Sequence, residues 1–203
     1  MWRKSSVPPL AIPRESKLEK GIWGIGTGGH IDTFCRFAGP NTILLAEISE
    51  EERDDDPVLR ESYERMEENY RILRNSTDQG GNPFEIIRVP VAQLMTKTVK
   101  YDGLRRAEKS WFEGARPGEE ITFYLAAGYM NFIIANDVVV TSKYWNEGGP
   151  NSMQRKDQQA RETLQRAFPK RRIVQVDAMP IHHDGAGLHC HSRNQPAVGL
   201  TGR

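Results

Sequence analysis

The chain has 203 residues, a formal net charge of +1 and 27% charged residues. This length is enough for one domain, or for a large part of a bigger one. The near-neutral charge shows no sign of the clustered basic surface that nucleic-acid-binding proteins need. No apolar run approaches the roughly 20 residues that span a bilayer. We therefore expect neither nucleic acid nor a membrane among its partners.

The first residues and the cysteines bear on domain organisation and location. Residues 1–20 are polar and rich in proline, so we predict a poorly ordered segment there and a folded domain over residues 21–203. The chain has two cysteines, Cys35 and Cys190. A disulfide between them is one alternative. Reduced thiols and a cytoplasmic location are favoured, because the chain shows no export signal.

In the first half of the chain, strand and helix patterns alternate. The mostly apolar run at residues 42–48 predicts a buried strand. The acidic residues 50–56 are typical of either a helix start or a solvated loop. Apolar residues at spacings of three and four then predict an amphipathic helix over residues 57–75, and residues 84–90 predict the next strand.

The second half of the chain begins with residues 95–118, which lack clear periodicity and contain turn signals. We predict a long functional loop there, with one helical turn around residues 104–111. The mixed order of elements argues for an α/β or α+β fold rather than a doubly wound sheet. The other predicted elements are a strand over 121–126, a hairpin over 132–141, a helix over 152–168 and a strand over 172–176.

Two short segments carry most of the candidate chemistry. Residues 28–37 read Gly-Gly-His-Ile-Asp-Thr-Phe-Cys-Arg-Phe, and residues 185–191 read Gly-Ala-Gly-Leu-His-Cys-His. Together they supply the groups needed to hydrolyse a guanidinium carbon through a covalent thiol adduct. Cys190 is the candidate nucleophile, and His30 is the candidate general acid and base because imidazole titrates near neutral pH. Asp32 is the candidate carboxylate for charge-assisted bonds to the guanidinium.

The expected geometry of these segments follows from their local sequence. If residues 29–34 are extended, the side chains of His30 and Asp32 emerge on the same face. Gly187 allows a substrate to approach the backbone closely, so it is a candidate binding position. We expect Arg36 to make structural ion pairs rather than to do chemistry.

The histidines suggest a different class of protein. His182, His183, His189 and His191 surround Cys190, and clusters of cysteine and histidine bind zinc. However, no Cys-x-x-Cys or His-x-x-x-His spacing exists, and in an extended segment His189 and His191 would point away from Cys190. A small metal-binding module therefore stays as an alternative.

Taken in order, three motifs resemble the agmatine deiminase and bacterial (Porphyromonas-type) peptidylarginine deiminase family, of the guanidino-group-modifying superfamily. Residues 28–37 resemble its Gly-His-x-Asp-x-x-x-Arg-Phe stretch, and residues 128–136 its Ser-Tyr-x-Asn-Phe-x-Ile-Ala-Asn stretch, with Gly in place of Ser. Residues 185–196 resemble its Cys-containing terminus, with His191 where a small aliphatic residue is usual. The resemblance covers nearly the whole chain.

The resemblance implies a fold and a reaction. The fold would be the C-terminal part of a five-bladed, pentein-type propeller, with about three ββαβ units. Cys190, His30 and Asp32 match the family's catalytic positions, and Asn131 matches an Asn near the substrate. The implied reaction converts agmatine and water to N-carbamoylputrescine and ammonia, a step in putrescine and polyamine biosynthesis, without a metal or an organic cofactor.

Two alternatives stay open within the resemblance. Peptidyl-arginine is the second candidate substrate. The other alternative is a non-catalytic remnant that binds a guanidino ligand or a partner chain, because relatives have a further segment before the first motif that supplies another guanidinium-binding carboxylate. We expect either a truncated product, or a homo-oligomer or complementing chain that provides the missing surface.

Overall fold

The structure is a computed structural model that describes residues 30–104, 109, 112, 114–183 and 186–195. The predicted segment 1–20 lies outside these residues. The strands are β1 Cys35–Phe37, β2 Thr42–Glu47, β3 Glu85–Pro90, β4 Thr96–Lys100, β5 Glu120–Tyr124, β6 Ile133–Ile134, β7 Val138–Lys143 and β8 Arg172–Asp177. The helices with bounds inside the described residues are α1 Pro57–Arg74, α2 Asn151–Ala167 and α3 Met179–His182. Within the described part of the chain, no helix combines the length and apolar character needed to span a bilayer.

Two stretches of the chain repeat one topology. In the first, β1 is antiparallel to β2, and β2 is parallel to β3 after the crossover through α1. In the second, β6 is antiparallel to β7, and β7 is parallel to β8 after α2. A parallel pair needs such a crossover, whereas an antiparallel pair can be joined by a short turn. The fold is therefore a mixed α/β arrangement of small sheets, in which the described residues form two ββαβ units.

β2 is the central strand of the first sheet and is buried over Ile43, Leu44, Leu45 and Ala46. Strands covered on both faces have continuous apolar sequences rather than alternating ones. This burial explains the apolar run from which the strand was predicted, and that prediction is confirmed.

The start of α1 is fixed by its capping residue. The Asp56 carboxylate accepts a hydrogen bond from the Val58 N–H at 2.8 Å, and Pro57 occupies the first turn. The other Asp56 oxygen accepts a bond from the Tyr124 hydroxyl at 2.8 Å, which ties the helix to β5. The predicted helix over residues 57–75 is confirmed.

The helix predicted over residues 152–168 is also confirmed, as α2. Its inward face buries Ala160 and Leu164 completely, together with the carboxylate-bearing Asp157. The helix packs on β3 of the first unit and on β8 of the second, so it joins the two units. The buried residues of both units belong to one apolar cluster. In this cluster the rings of Phe132 and Phe168 pack edge to face, with 5.6 Å between the ring centres.

The prediction of a loop over residues 95–118 is wrong in its first part. There, β4 forms and pairs with β5 in a separate antiparallel sheet. The β4 sequence Thr-Lys-Thr-Val-Lys has no buried residue, so an apolar pattern could not reveal it. Its pairing depends on the partner strand, which is typical of β structure. The helical turn predicted around residues 104–111 lies mostly outside the described residues.

Candidate active site

Asp32 lies in a single 3₁₀ turn, Ile31–Thr33, immediately before β1. The Thr33 N–H and hydroxyl both donate to the His30 carbonyl, at 3.1 and 2.6 Å. The condition of an extended segment over residues 29–34 is therefore not met at this turn. Its physical reason is local, since these bonds to His30 close a turn instead of leaving the backbone free to extend.

The three predicted catalytic side chains nevertheless converge. A ring nitrogen of His30, a carboxylate oxygen of Asp32 and the Cys190 sulfur lie within 4.8 Å of one another. The sulfur lies 3.6 Å from Asp32 Oδ2, although 158 positions separate the two residues. The arrangement brings together an imidazole, a carboxylate and a thiol.

Asn131, predicted as a substrate-binding residue, lies between these two segments and is 5% exposed. Its Nδ2 donates to Asp32 Oδ2 at 2.7 Å and to the Cys190 sulfur at 3.3 Å. Its Oδ1 accepts from the backbone N–H groups of His189 and Cys190, at 2.8 and 3.3 Å. One amide therefore connects the first motif to the last.

Gly187, also predicted to bind substrate, packs directly against Asn131. A Cβ at Gly187 would lie 2.3 Å from Asn131 Oδ1 and 2.5 Å from its Cγ. Both distances are far shorter than any normal contact, so the close approach of these residues requires glycine.

His189 is a site residue that the sequence analysis did not propose. Its Nδ1 lies 2.6 Å from Asp32 Oδ2. The expectation of an extended segment pointing this ring away is wrong, because residues 188–191 form a turn, with the Ser192 N–H bonded to the His189 carbonyl at 3.0 Å. The sequence signal for a role of His189 in this site is its position directly before Cys190, which also fits the zinc alternative.

The Asp32 carboxylate is held in its ionised form. Burial raises its pKa, but the hydrogen bond and charge of His189, with the bonds from Asn131 and Cys190, outweigh burial and leave the pKa below its ordinary value. A guanidinium cation is bound best by such a carboxylate. A cavity of about 400 Å³ opens beside it, lined by Ile31, Asp32, Cys35, Arg36, Phe37 and Ile43.

Arg36 joins the first unit to the segment that carries Asn131. Its guanidinium donates to the backbone carbonyls of Phe132 and, at 3.5 Å, Met130, and its carbon lies 4.1 Å from the centre of the Phe132 ring. Among the described residues these bonds go to carbonyls and a ring, so the predicted ion pairs of Arg36 are not formed.

The cysteines and the remaining histidines have separate environments. Both cysteines are free thiols, so the disulfide alternative is not formed. His182 is buried and bonded by the Tyr144 hydroxyl at 2.9 Å, and His191 Nδ1 bonds the Gly187 carbonyl at 3.1 Å. Among the described residues, these histidines share no metal-ligand cluster, and the three-donor group is the one formed by His30, Asp32 and Cys190.

The sequence as a whole matches one known family. Residues 10–196 match the family described as Porphyromonas-type peptidyl-arginine deiminase. The chain belongs to this family.

Curated relatives support this membership. The chain is 31% identical over 189 residues to an agmatine deiminase of Pseudomonas aeruginosa (strain UCBPP-PA14). The alignment covers 93% of this chain and 46% of the relative. It is 31% identical over 191 residues to an agmatine deiminase of Medicago truncatula, with the same coverage. The chain thus spans about half the length of these relatives.

The fold is similar to that of solved family members. The structure described as the agmatine deiminase of Enterococcus faecalis catalysing its reaction superposes with a TM-score of 0.56 at 27% identity. The match covers 84% of this chain and 41% of that one. The small sheets of this chain therefore correspond to part of a deiminase fold.

Proposed function

We propose that this chain carries the chemistry of an agmatine deiminase, a hydrolase that acts on the carbon–nitrogen bonds of linear amidines. The observation that supports the proposal is the convergence of His30, Asp32 and Cys190 within 4.8 Å, in a chain related to agmatine deiminases. The products would be N-carbamoylputrescine and ammonia, which places the reaction in putrescine and polyamine biosynthesis. The reduced cysteines fit a cytoplasmic location.

Each of the three side chains has a role in the proposed reaction. Asp32 binds guanidinium nitrogens through its ionised carboxylate. The Cys190 thiolate attacks the central carbon, and the tetrahedral adduct expels ammonia after His30 gives a proton to the leaving nitrogen. His30 then takes a proton from water, whose oxygen attacks the thiouronium carbon. The carbon–sulfur bond breaks to return the thiolate, and the remaining hydroxyl proton passes to solvent as the urea product is released.

The substrate proposal favours agmatine over peptidyl-arginine. The support comes from the curated relatives, which are agmatine deiminases at about 30% identity. The apolar walls of the cavity beside Asp32, formed by Ile31, Phe37 and Ile43, suit the alkyl chain of either guanidino substrate. Peptidyl-arginine, after which the family is described, offers the same guanidinium on a similar alkyl chain attached to a peptide backbone. Competition between agmatine and an arginyl peptide for turnover distinguishes the two substrates.

The proposal includes the wider assembly. We infer that the chain contributes about three ββαβ units of a five-bladed propeller, which the two complete units and the β4–β5 pair support. A homo-oligomer or a complementing chain would then supply a second guanidinium-binding carboxylate. The alternative is a non-catalytic chain that binds a guanidino ligand or a partner without turnover.

The deciding experiment is ammonia release from agmatine by the purified 203-residue chain. We expect release that Cys190→Ala abolishes. Full turnover by folded Cys190→Ala would contradict the covalent mechanism. Agmatine binding in calorimetry with no ammonia release would favour the non-catalytic alternative.

A further inference from the structure

The side-chain amide of Asn131 has no free hydrogen-bonding capacity in this arrangement. An asparagine amide offers two N–H donors and two lone pairs on its oxygen. Asp32 and the Cys190 sulfur take the two donors, and the backbone N–H groups of His189 and Cys190 take the two lone pairs. A substrate could contact this amide only by displacing one of these partners.

The backbone around Asn131 is supported from behind. The Tyr129 hydroxyl donates to Asp157 at 2.8 Å, and the Tyr129 carbonyl accepts from the Thr141 hydroxyl at 2.8 Å. The Gly128 N–H donates to the Tyr144 hydroxyl at 2.6 Å. These buried bonds fix the segment before β6, so the amide has a rigid base from which to hold other groups.

The bond from Asn131 holds one oxygen of the Asp32 carboxylate. Each hydrogen bond that the described residues make to this carboxylate, from Asn131, His189 and Cys190, reaches Oδ2. Oδ1 is therefore available to a guanidinium nitrogen. Without the amide, the carboxylate would lose a donor that fixes its rotation beside the sulfur.

We propose that Asn131 is a positioning residue that sets the Asp32 carboxylate and the Cys190 sulfur in one geometry, and that Gly187 is glycine because the Asn131 amide fills the space of a side chain. Substitution of Asn131 removes the amide, and a side chain at position 187 displaces it. In both cases the Cys190 sulfur and the Asp32 carboxylate lose their common N–H donor. The inference rests on the proposed function only where turnover is measured.

The test measures Cys190 directly as well as turnover. Alkylation by iodoacetamide, followed by mass spectrometry of the Cys190 peptide across pH, reports the reactivity of the thiol without any substrate. We expect Asn131→Ala and Gly187→Ala to shift the pH midpoint of alkylation upward, because the sulfur loses an N–H donor. The agmatine kcat should fall about tenfold to a hundredfold with a smaller change in KM.

The two substitutions should not be additive. If both remove the same amide contact, the double variant should be no slower than the slower single variant, whereas independent roles would multiply the losses. Gly103→Ala is the matched control for Gly187→Ala, since nothing lies within 4 Å of a Cβ at Gly103. Asn75→Ala at the end of α1 is the control for the asparagine.

Several outcomes would overturn the proposal. One is a folded Asn131→Ala protein with an unchanged alkylation midpoint, and another is a rise in KM alone, which would indicate substrate contact. If Asn131→Ala does not fold, Asn131→Asp retains the shape and the acceptor but loses both donors and adds a negative charge beside the sulfur, so a larger shift in the same direction is expected. If no form releases ammonia, the proposed function fails, while the alkylation midpoints still decide the positioning role.

Discussion

At the scale of single residues, the two thiols differ in their surroundings. Burial raises the pKa of Cys35 to about 11, whereas Cys190 is exposed beside His30 and Asp32. With a pKa of about 11, about one in a thousand Cys35 side chains is ionised at pH 8. Only the thiolate reacts, so Cys35 should be alkylated slowly. Iodoacetamide at pH 8 should therefore label Cys190 first, and peptide mass spectrometry would show this. Equal labelling in the folded protein would contradict it, with urea-unfolded protein as the control in which both react.

The ionisation of Asp32 depends on His189. The folded-state pKa of Asp32 lies below its ordinary value, so its bonds stabilise the fold at pH values above the ordinary pKa of the unfolded carboxyl, about 3.9. This stabilisation is lost as the pH falls through the lower folded-state pKa. His189→Ala leaves burial largely in place but removes the main bond that opposes it, and should raise the pKa of Asp32.

The measurement for this variant is an NMR titration of the Asp32 carboxyl. His183→Ala is the matched control, since His183 is an exposed histidine with no bond to this carboxylate. An unchanged pKa of Asp32 in His189→Ala would show that the contact between Nδ1 and Oδ2 is not formed in solution.

At the scale of elements, the capping residue of α1 has two functions. One Asp56 oxygen caps the helix through the Val58 N–H, and the other accepts from Tyr124. Asp56→Ala should lower the free energy of unfolding by about 1–2 kcal/mol, because the orphan N–H loses its partner. Asp56→Asn, which still caps, should lose less. Urea denaturation compares the three proteins, and equal losses for both substitutions would argue against capping as the cause.

At the scale of the whole molecule, the site exists only where the two ββαβ units meet. Asp32 precedes the first strand of one unit, Asn131 precedes the first strand of the other, and Cys190 follows the last strand. Arg36 spans this junction through its bonds to the carbonyls of Phe132 and Met130 and its stacking on the Phe132 ring. Arg36 therefore adds a polar contact between the units to the apolar packing through α2.

Arg36→Lys keeps the charge but loses the forked donors and the planar stacking group. We expect a loss of about 1–3 kcal/mol in the free energy of unfolding, measured by urea denaturation, and slower alkylation of Cys190. Arg60→Lys is the control, because its pair with Asp54 is exposed and such pairs contribute little. Equal stability of the two variants would contradict a role for Arg36 at the junction.

The sequence by itself determined the elements whose stability is local or depends on simple burial. The apolar run of β2 and the periodicity of α1 and α2 predicted those elements because an apolar face must be covered wherever it lies in the fold. Residue chemistry likewise indicated His30, Asp32 and Cys190 as candidates, since few side chains provide a nucleophile, a proton carrier and a carboxylate.

Only the tertiary structure decided how these groups meet. β4 has no apolar signal and forms through its partner β5. Asp32 lies in a 3₁₀ turn that the sequence did not indicate. The bond from His189 to Asp32, and the contact of Asn131 with Gly187, join residues more than fifty positions apart. Such contacts depend on the packing of whole units against each other, which no local pattern encodes.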